Sequence, residues 1–292
     1  MKRLLYAIAA VCLCITLSAC QNEPNIQVAT TTSTVYEFTA RICDGTDICV
    51  GQIITENVSC LHDYTLQTSQ MRMLEKAQIL VISGAGLEDF LFDVVPNSNT
   101  VIDASESIEL VCAESSHSHS HDSQDHNEHD PHIWLSPANA KQMATNICIG
   151  LEKAYPQHTE RFHRNLELLL EDLSALEEYG SQQLKSLSNR KLITFHDGFA
   201  YLAKAFDLEI LKAIEEESGS EASAAELIEI CQLIYDHDLP AIFTELNGSV
   251  SASEIISSET DTSVYQLDMA MSGNGYLNAM YHNIDTLKEA LE

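Results

Sequence analysis

The sequence predicts an α/β fold: two lobes with mainly parallel sheets, joined by one long helix. Three observations carry this. Strand-like and helix-like segments alternate along most of the chain, and several strand candidates are continuous apolar runs. Such runs belong to strands covered by helices on both faces. One stretch, from Pro156 to about Leu187, breaks the alternation with an uninterrupted helical pattern. The chain is also longer than a single compact core usually accommodates, which favours two lobes.

Residues 1–19 read as a signal peptide: Lys2 and Arg3 precede an apolar run, Leu4 to Leu17, that is short for a bilayer span. The run ends Leu17-Ser18-Ala19-Cys20, which resembles a bacterial lipobox. Cys20 is the expected lipidation site, and residues 20–25 a polar tether that would anchor an extracytoplasmic body to the bacterial cell membrane. Residues 26–155 make the expected first lobe, with strand candidates Ile26–Thr31, Ile79–Ser83 and Thr100–Asp103. Helices are expected over Gln67–Lys76 and from Ser136-Pro137, where an N-cap residue precedes a proline at the first helical position. Residues 156–188 form the expected interlobe helix. Phe162, Leu166, Leu169, Leu170, Leu173 and Leu176 recur at helical spacing, and thirty such residues would span roughly 45 Å. Residues 189–292 make the second lobe, with strand candidates Lys191–Phe195, Ala241–Thr244 and Val264–Leu267. Ser223-Ala-Ala-Glu226 is a capping box ahead of another helix.

The formal charge is −29, or −31 once Lys2 and Arg3 leave with residues 1–19. Such a body is a poor partner for nucleic acid. Acidity on this scale chiefly serves solubility. After Cys20 the chain holds Cys43, Cys49, Cys60, Cys112, Cys148 and Cys231, with no CxxC pair. A cysteine zinc site is therefore poorly supported. An exported chain can form disulfides: Cys43 and Cys49 could close a small loop, and Cys60 and Cys112 are further candidates. Cys148 and Cys231 lie in apolar helical patterns and read as buried thiols.

Six of the twelve histidines fall between Ser115 and Trp134: His117, His119, His121, His126, His129 and His132. Imidazole is the commonest protein ligand for divalent transition metals, so the tract points to metal handling. Ser115–Asp130 contains no apolar residue and reads as a mobile surface loop, with His117, His119, His121, His126 and His129 as weak accessory contacts or parts of a solvated linker. His132 differs, because apolar residues and a helix start follow it. Three more positions adjoin a strand end or a helix start, where α/β folds place ligand sites. His62 precedes the Gln67 helix, His196 follows the strand Lys191–Phe195, and Asp268 follows Val264–Leu267. Individually these could be a loop histidine, a buried strand-end histidine and a helix cap.

The segments HDYTLQTSQMRMLEKAQILVISGAGLEDFL, HIWLSPANA, TFHDGFAYLAKAFDLEI and AIFTEL…VYQLD occur in that order. Together they resemble the metal-binding proteins of ABC importers, the solute-binding family 9 group, and its zinc-uptake members in particular. The resemblance runs from Ile26 to Leu291. It implies two α/β lobes bridged by a long helix, with the metal held between them by His62 and His132 from the first lobe and His196 and Asp268 from the second. Three imidazoles and one carboxylate suit Zn²⁺ as bound cargo; Mn²⁺ prefers a more oxygen-rich set. Relatives often carry proline after the last aspartate, whereas here Met269 follows Asp268, so a water or another acid is the alternative fourth ligand. Glu216 and Glu217 are weaker substitutes within an acidic run.

The resemblance also implies partners, a cognate ABC permease and its ATPase, served by a monomer that is not an enzyme. Two alternatives are a membrane-anchored zinc-dependent hydrolase and a metal-binding adhesin. The hydrolase would need an open metal position and a base, for which Asp197 is the nearest candidate, and no HExxH sequence is present.

Overall fold

The computed structural model describes residues 26–55, 64–91, 94–96, 99–112, 129–214, 222–246, 248, 250–271 and 273–292. Two four-stranded, all-parallel sheets form the framework. The first contains β1 (Val28–Thr30), β2 (Val50–Gln52), β3 (Ile79–Ile82) and β4 (Thr100–Asp103), in the order β2-β1-β3-β4. Helices α1 (Ser33–Cys43), α2 (Thr68–Lys76) and α3 (Pro137–Ala154) accompany it. The second contains β5 (Lys191–Thr194), β6 (Glu209–Ala213), β7 (Ala241–Glu245) and β8 (Ser263–Leu267), in the order β6-β5-β7-β8, with α5 (Ala200–Ala205), α6 (Ala224–His237), α7 (Ser251–Thr260) and α8 (Tyr276–Leu291). Between them in sequence lies α4 (Thr159–Gln183).

Both sheets wind alike. The chain leaves the first strand for a neighbour on one side, then returns to its other side. The direction therefore reverses between β1 and β3, and again between β5 and β7. At such switch points the carboxyl ends of the strands splay apart and leave a crevice for ligands.

Edge strands β2 and β6 escaped the sequence analysis. β2 is three residues with a central glycine, and Glu209–Ala213 carries charge and is nowhere fully buried. A strand paired on one side needs no continuous apolar run, so these two lack the mark that identified the others. The capping expectations hold. Ser136 accepts from the Asn139 amide, and Ser223 and Glu226 form a reciprocal box; Gln67 and Gln70 form a further box that was not expected. The interlobe helix is shorter than expected, because Pro156–His158 forms a separate 3-10 turn. The remaining 25 residues span about 37 Å.

One hydrophobic core runs through the first lobe, along α4 (Phe162, Leu169, Leu173 and Leu176) and into the second lobe through Phe199, Leu202, Phe243 and Tyr276. A smaller cluster, including Ile193, Ile230, Ile234, Ile242 and Ile256, fills the other face of the second sheet under α6 and α7. Hydrogen bonds also cross between lobes. Trp134 Nε1 donates to the Met269 carbonyl at 2.8 Å, Tyr276 Oη donates to the Trp134 carbonyl at 2.8 Å, and Thr34 Oγ1 donates to the Ala270 carbonyl at 3.0 Å. No helix among the described residues is long and apolar enough to cross a membrane.

The cysteine expectations need correction. Cys43, Cys49 and Cys112 are free thiols, so no bridge closes the 43–49 loop. Cys43 sits inside the core at the end of α1, whereas Cys49 is half-buried just before β2. Burial pushes the thiols of Cys43 and Cys148 up to about 12, which keeps both unreactive. Cys231 is half-buried rather than buried, and packs at the margin of the smaller cluster of the second lobe. Cys20 and Cys60 lie outside the described residues, as does Glu215–Glu217.

Candidate metal centre

His132 ends the crossing from β4 and caps a short 3-10 turn, Ile133–Leu135, that leads into α3. The turn is wholly buried, so the apolar text after His132 fixes its backbone. Asp130 fixes its side chain: Oδ1 accepts from the His132 amide at 2.9 Å and lies 2.8 Å from Nδ1. Asp130 is itself buried, and Tyr201 of α5 donates to its carbonyl at 3.0 Å. This corrects the expectation that residues 115–130 form one mobile loop. The loop's last residue is a structural part of the site, and His129, although exposed, bridges to Cys112. With Nδ1 committed to Asp130, His132 presents Nε2 outward as a lone pair.

His196 follows β5 at the second switch point. Its Nε2 lies 3.4 Å from that of His132, and the rings meet edge-to-face at 5.0 Å. Tetrahedral zinc with Zn–N bonds of 2.0–2.1 Å requires ligand nitrogens about 3.3–3.4 Å apart. The two imidazoles are thus spaced as a pair of ligands to one ion. Gly198 makes the approach possible: a Cβ there would stand 2.7 Å from the His196 ring and 2.8 Å from His132 Nδ1.

Asp268 follows β8 and is buried. Its amide donates to Asn283 Oδ1 at 2.7 Å, and Asn283 Nδ2 returns a bond to its carbonyl at 2.7 Å, tying it to α8. Oδ1 accepts from the Ala270 amide at 2.8 Å. Met269, standing where relatives often carry proline, contributes its carbonyl to the interlobe bond from Trp134 and its methyl to the wall beside Gly198.

A second carboxylate, Glu245, was missed. It ends β7, is buried, and places Oε2 3.8 Å from His196 Nδ1. Burial pushes its carboxyl up to about 7, and the nearby charge of Asp268 adds to the rise. The strand-end rule that selected His196 and Asp268 would have found it had the strand been carried one residue past Thr244. His132 and His196 thus meet at Nε2, Glu245 stands behind His196, and Asp268 lies near enough for its charge to act on Glu245. Among the described residues no three His, Cys, Asp or Glu side chains are gathered closely enough to enclose an ion. His62, His117, His119, His121 and His126 lie outside the described residues.

Comparison with known proteins agrees with this architecture. A family model described as the zinc-uptake complex component A, periplasmic, matches residues 28–290. A putative metal-binding protein of Treponema pallidum is 28% identical over 97% of this chain and 92% of its own length. The zinc-binding lipoprotein AdcA of Streptococcus pneumoniae serotype 4 is 26% identical over the whole chain, which spans 62% of that relative. The crystal structure of ZnuA superposes with a TM-score of 0.79 at 25% identity, over 91% of this chain and all of the other. The laminin-binding protein Lmb of Streptococcus agalactiae shares the fold at a TM-score of 0.78 and 23% identity, over 91% of this chain and all of that one. The matched family is a transport component and not an enzyme, which sets aside the hydrolase alternative. With a model match covering nearly every residue from β1 to the end of α8, this chain belongs to the zinc-uptake complex component A family of metal-binding solute-binding proteins.

Proposed function

We propose that the protein captures Zn²⁺ outside the cytoplasm, in the cleft between its lobes, and delivers it to an ABC permease and its ATPase. The ligands in this proposal are His62, His132, His196 and Asp268, with Zn²⁺ as cargo and Mn²⁺ disfavoured by the nitrogen-rich set. Cys20 would carry the lipid that keeps the monomeric body at the membrane. The observation that carries the proposal is the 3.4 Å separation of two Nε2 atoms, one of them already oriented by Asp130. A zinc-binding name on AdcA supports the choice of metal. A site closed by four protein ligands holds its ion without offering an open position for water activation.

Zinc titration of three forms tests it: the body from residue 21 onward, the same body lacking residues 113–128, and His196→Ala. The deletion stops short of Asp130, whose carboxylate holds His132. It is expected to keep one tight site and lose weak ones, while His196→Ala loses the tight site. Retention of tight binding by His196→Ala, with loss in the deletion, would refute the assignment. Affinity in the intact body should fall as pH drops through the histidine range, because a protonated imidazole cannot ligate.

A further inference from the structure

The two imidazoles of the cleft are backed in parallel ways. Behind His132, on the side away from His196, stands the Asp130 carboxylate, 2.8 Å from Nδ1. Behind His196, on the side away from His132, stands the Glu245 carboxylate, 3.8 Å from Nδ1. The first contact is a hydrogen bond; the second is too long to be one. The Glu245 backbone is not free to drift. It ends a strand paired in register with β8, its carbonyl accepts from the Gly248 amide at 2.9 Å, and the next amide, of Leu246, donates to the Leu267 carbonyl at 2.7 Å. What separates the two pairs is a side-chain adjustment of about 1 Å, well within the reach of a glutamate rotamer.

We propose that Glu245 is a positioning residue for His196. When a divalent cation occupies the cleft, its carboxylate closes onto the Nδ1–H of His196 and fixes the tautomer that gives the Nε2 lone pair to the metal. The proposal rests on the metal-binding function proposed above. Imidazole geometry supports it. The ring nitrogens point away from one another, so a carboxylate facing Nδ1 stands behind the ring and not beside an ion on Nε2. Metal-bound imidazoles commonly donate their second N–H to a carboxylate, and loss of such a partner costs 10–100-fold in affinity.

A double-mutant cycle decides it, with zinc titrations of wild type, Glu245→Ala, Glu245→Gln, His196→Ala and the double variant Glu245→Ala/His196→Ala. Glu245→Ala should weaken binding about 10–100-fold. Glu245→Gln, which keeps an acceptor oxygen, should stay within about tenfold of wild type. In the His196→Ala background the Glu245 substitution should change nothing further. The His196 Nδ1 proton, followed by ¹⁵N-resolved NMR of the zinc-loaded protein, should exchange slowly in wild type and rapidly in Glu245→Ala. An equal loss of affinity in the His196→Ala background would overturn the proposal, since Glu245 would then act on the ion directly. No loss in Glu245→Ala would overturn it as well. Should Glu245→Ala not fold, Glu245→Gln decides alone: near-native affinity supports positioning, and a loss as large as that of His196→Ala sinks it. Absence of tight zinc binding in wild type would strike the underlying function itself, a result distinct from any change among the variants.

Discussion

The two lobes share a winding, yet they use their switch points in opposite ways. Between β1 and β3 the crevice is filled from within. Glu88 turns inward and its carboxylate accepts from Thr31 Oγ1 at 2.6 Å, from the Ser83 amide at 2.8 Å and from the Gly84 amide at 3.0 Å. The loop Ser83–Gly86 wraps around it with three successive residues at positive φ, Ala85 included. Between β5 and β7 the same place holds His196 and Glu245, and among the described residues no comparable ring of backbone donors surrounds that carboxylate. Burial pushes both glutamates up to about 7. One switch point is thus spent on holding the lobe together, and the other is the one the proposed function assigns to a ligand. The same topology offers a site twice, and side chains decide which copy stays open.

The comparison breaks if Glu88 matters to the metal or the site residues matter mainly to the fold. The largest effect should come from Glu88→Ala, which strands three buried donors and leaves a cavity. We expect about 3–5 kcal/mol of lost stability in chemical denaturation, with zinc affinity of the folded protein within a few-fold of wild type. Next is a pH effect. Glu88 is held near 7 in the fold and would titrate near 4.5 when unfolded, so the native state holds the extra proton between these values. The stability contributed by protonated Glu88 is full below about 4.5 and is lost as pH rises through 7, on the order of 3 kcal/mol in all. Glu88→Gln cannot ionise. The stability difference between wild type and this variant, measured by denaturation of the metal-free proteins, should shift in that direction across the window.

Smaller effects belong to the ligand side. Gly198→Ala puts a methyl group against two rings that must stay 3.4 Å apart at Nε2. Overpacking of this kind costs about 1–3 kcal/mol, and it should appear in isothermal titration as roughly 10–100-fold weaker zinc binding with little change in the melting of the metal-free protein. Asp130→Ala should cost 10–100-fold in affinity by freeing the His132 ring. Asp130→Asn, which retains an acceptor, should cost less. A variant pair with equal losses would mean that charge, not orientation, is what Asp130 supplies.

Much of this was legible in the chain because the relevant residues mark element boundaries. His132 precedes a buried apolar turn, and His196 and Asp268 follow strands whose apolar runs stand out. Edge strands β2 and β6 were illegible for the converse reason: half-buried Lys212 stands where an interior strand would be apolar, and Gly51, packed against Ile26, leaves β2 without an apolar run. Asp130 was hidden by composition. It closes a stretch without a single apolar residue, and nothing local distinguishes a carboxylate that folds back onto Nδ1 two residues away from one that faces water. Glu245 was hidden by a boundary placed one residue short. Gly198 could not be weighed at all, because its requirement arises from two rings supplied by different lobes.

The bonds that join Trp134 to Met269 and Tyr276 to Trp134, set within a core common to both lobes, bear on how cargo leaves. A hinged jaw needs a seam crossed by few contacts, and here a continuous apolar core and three hydrogen bonds cross it. In the proposed function, release would then be a matter of coordination kinetics rather than mechanics. The ion would depart by exchanging one donor at a time for those of an acceptor presented at the cleft mouth, so its dwell time would follow the concentration and denticity of whatever competes for it.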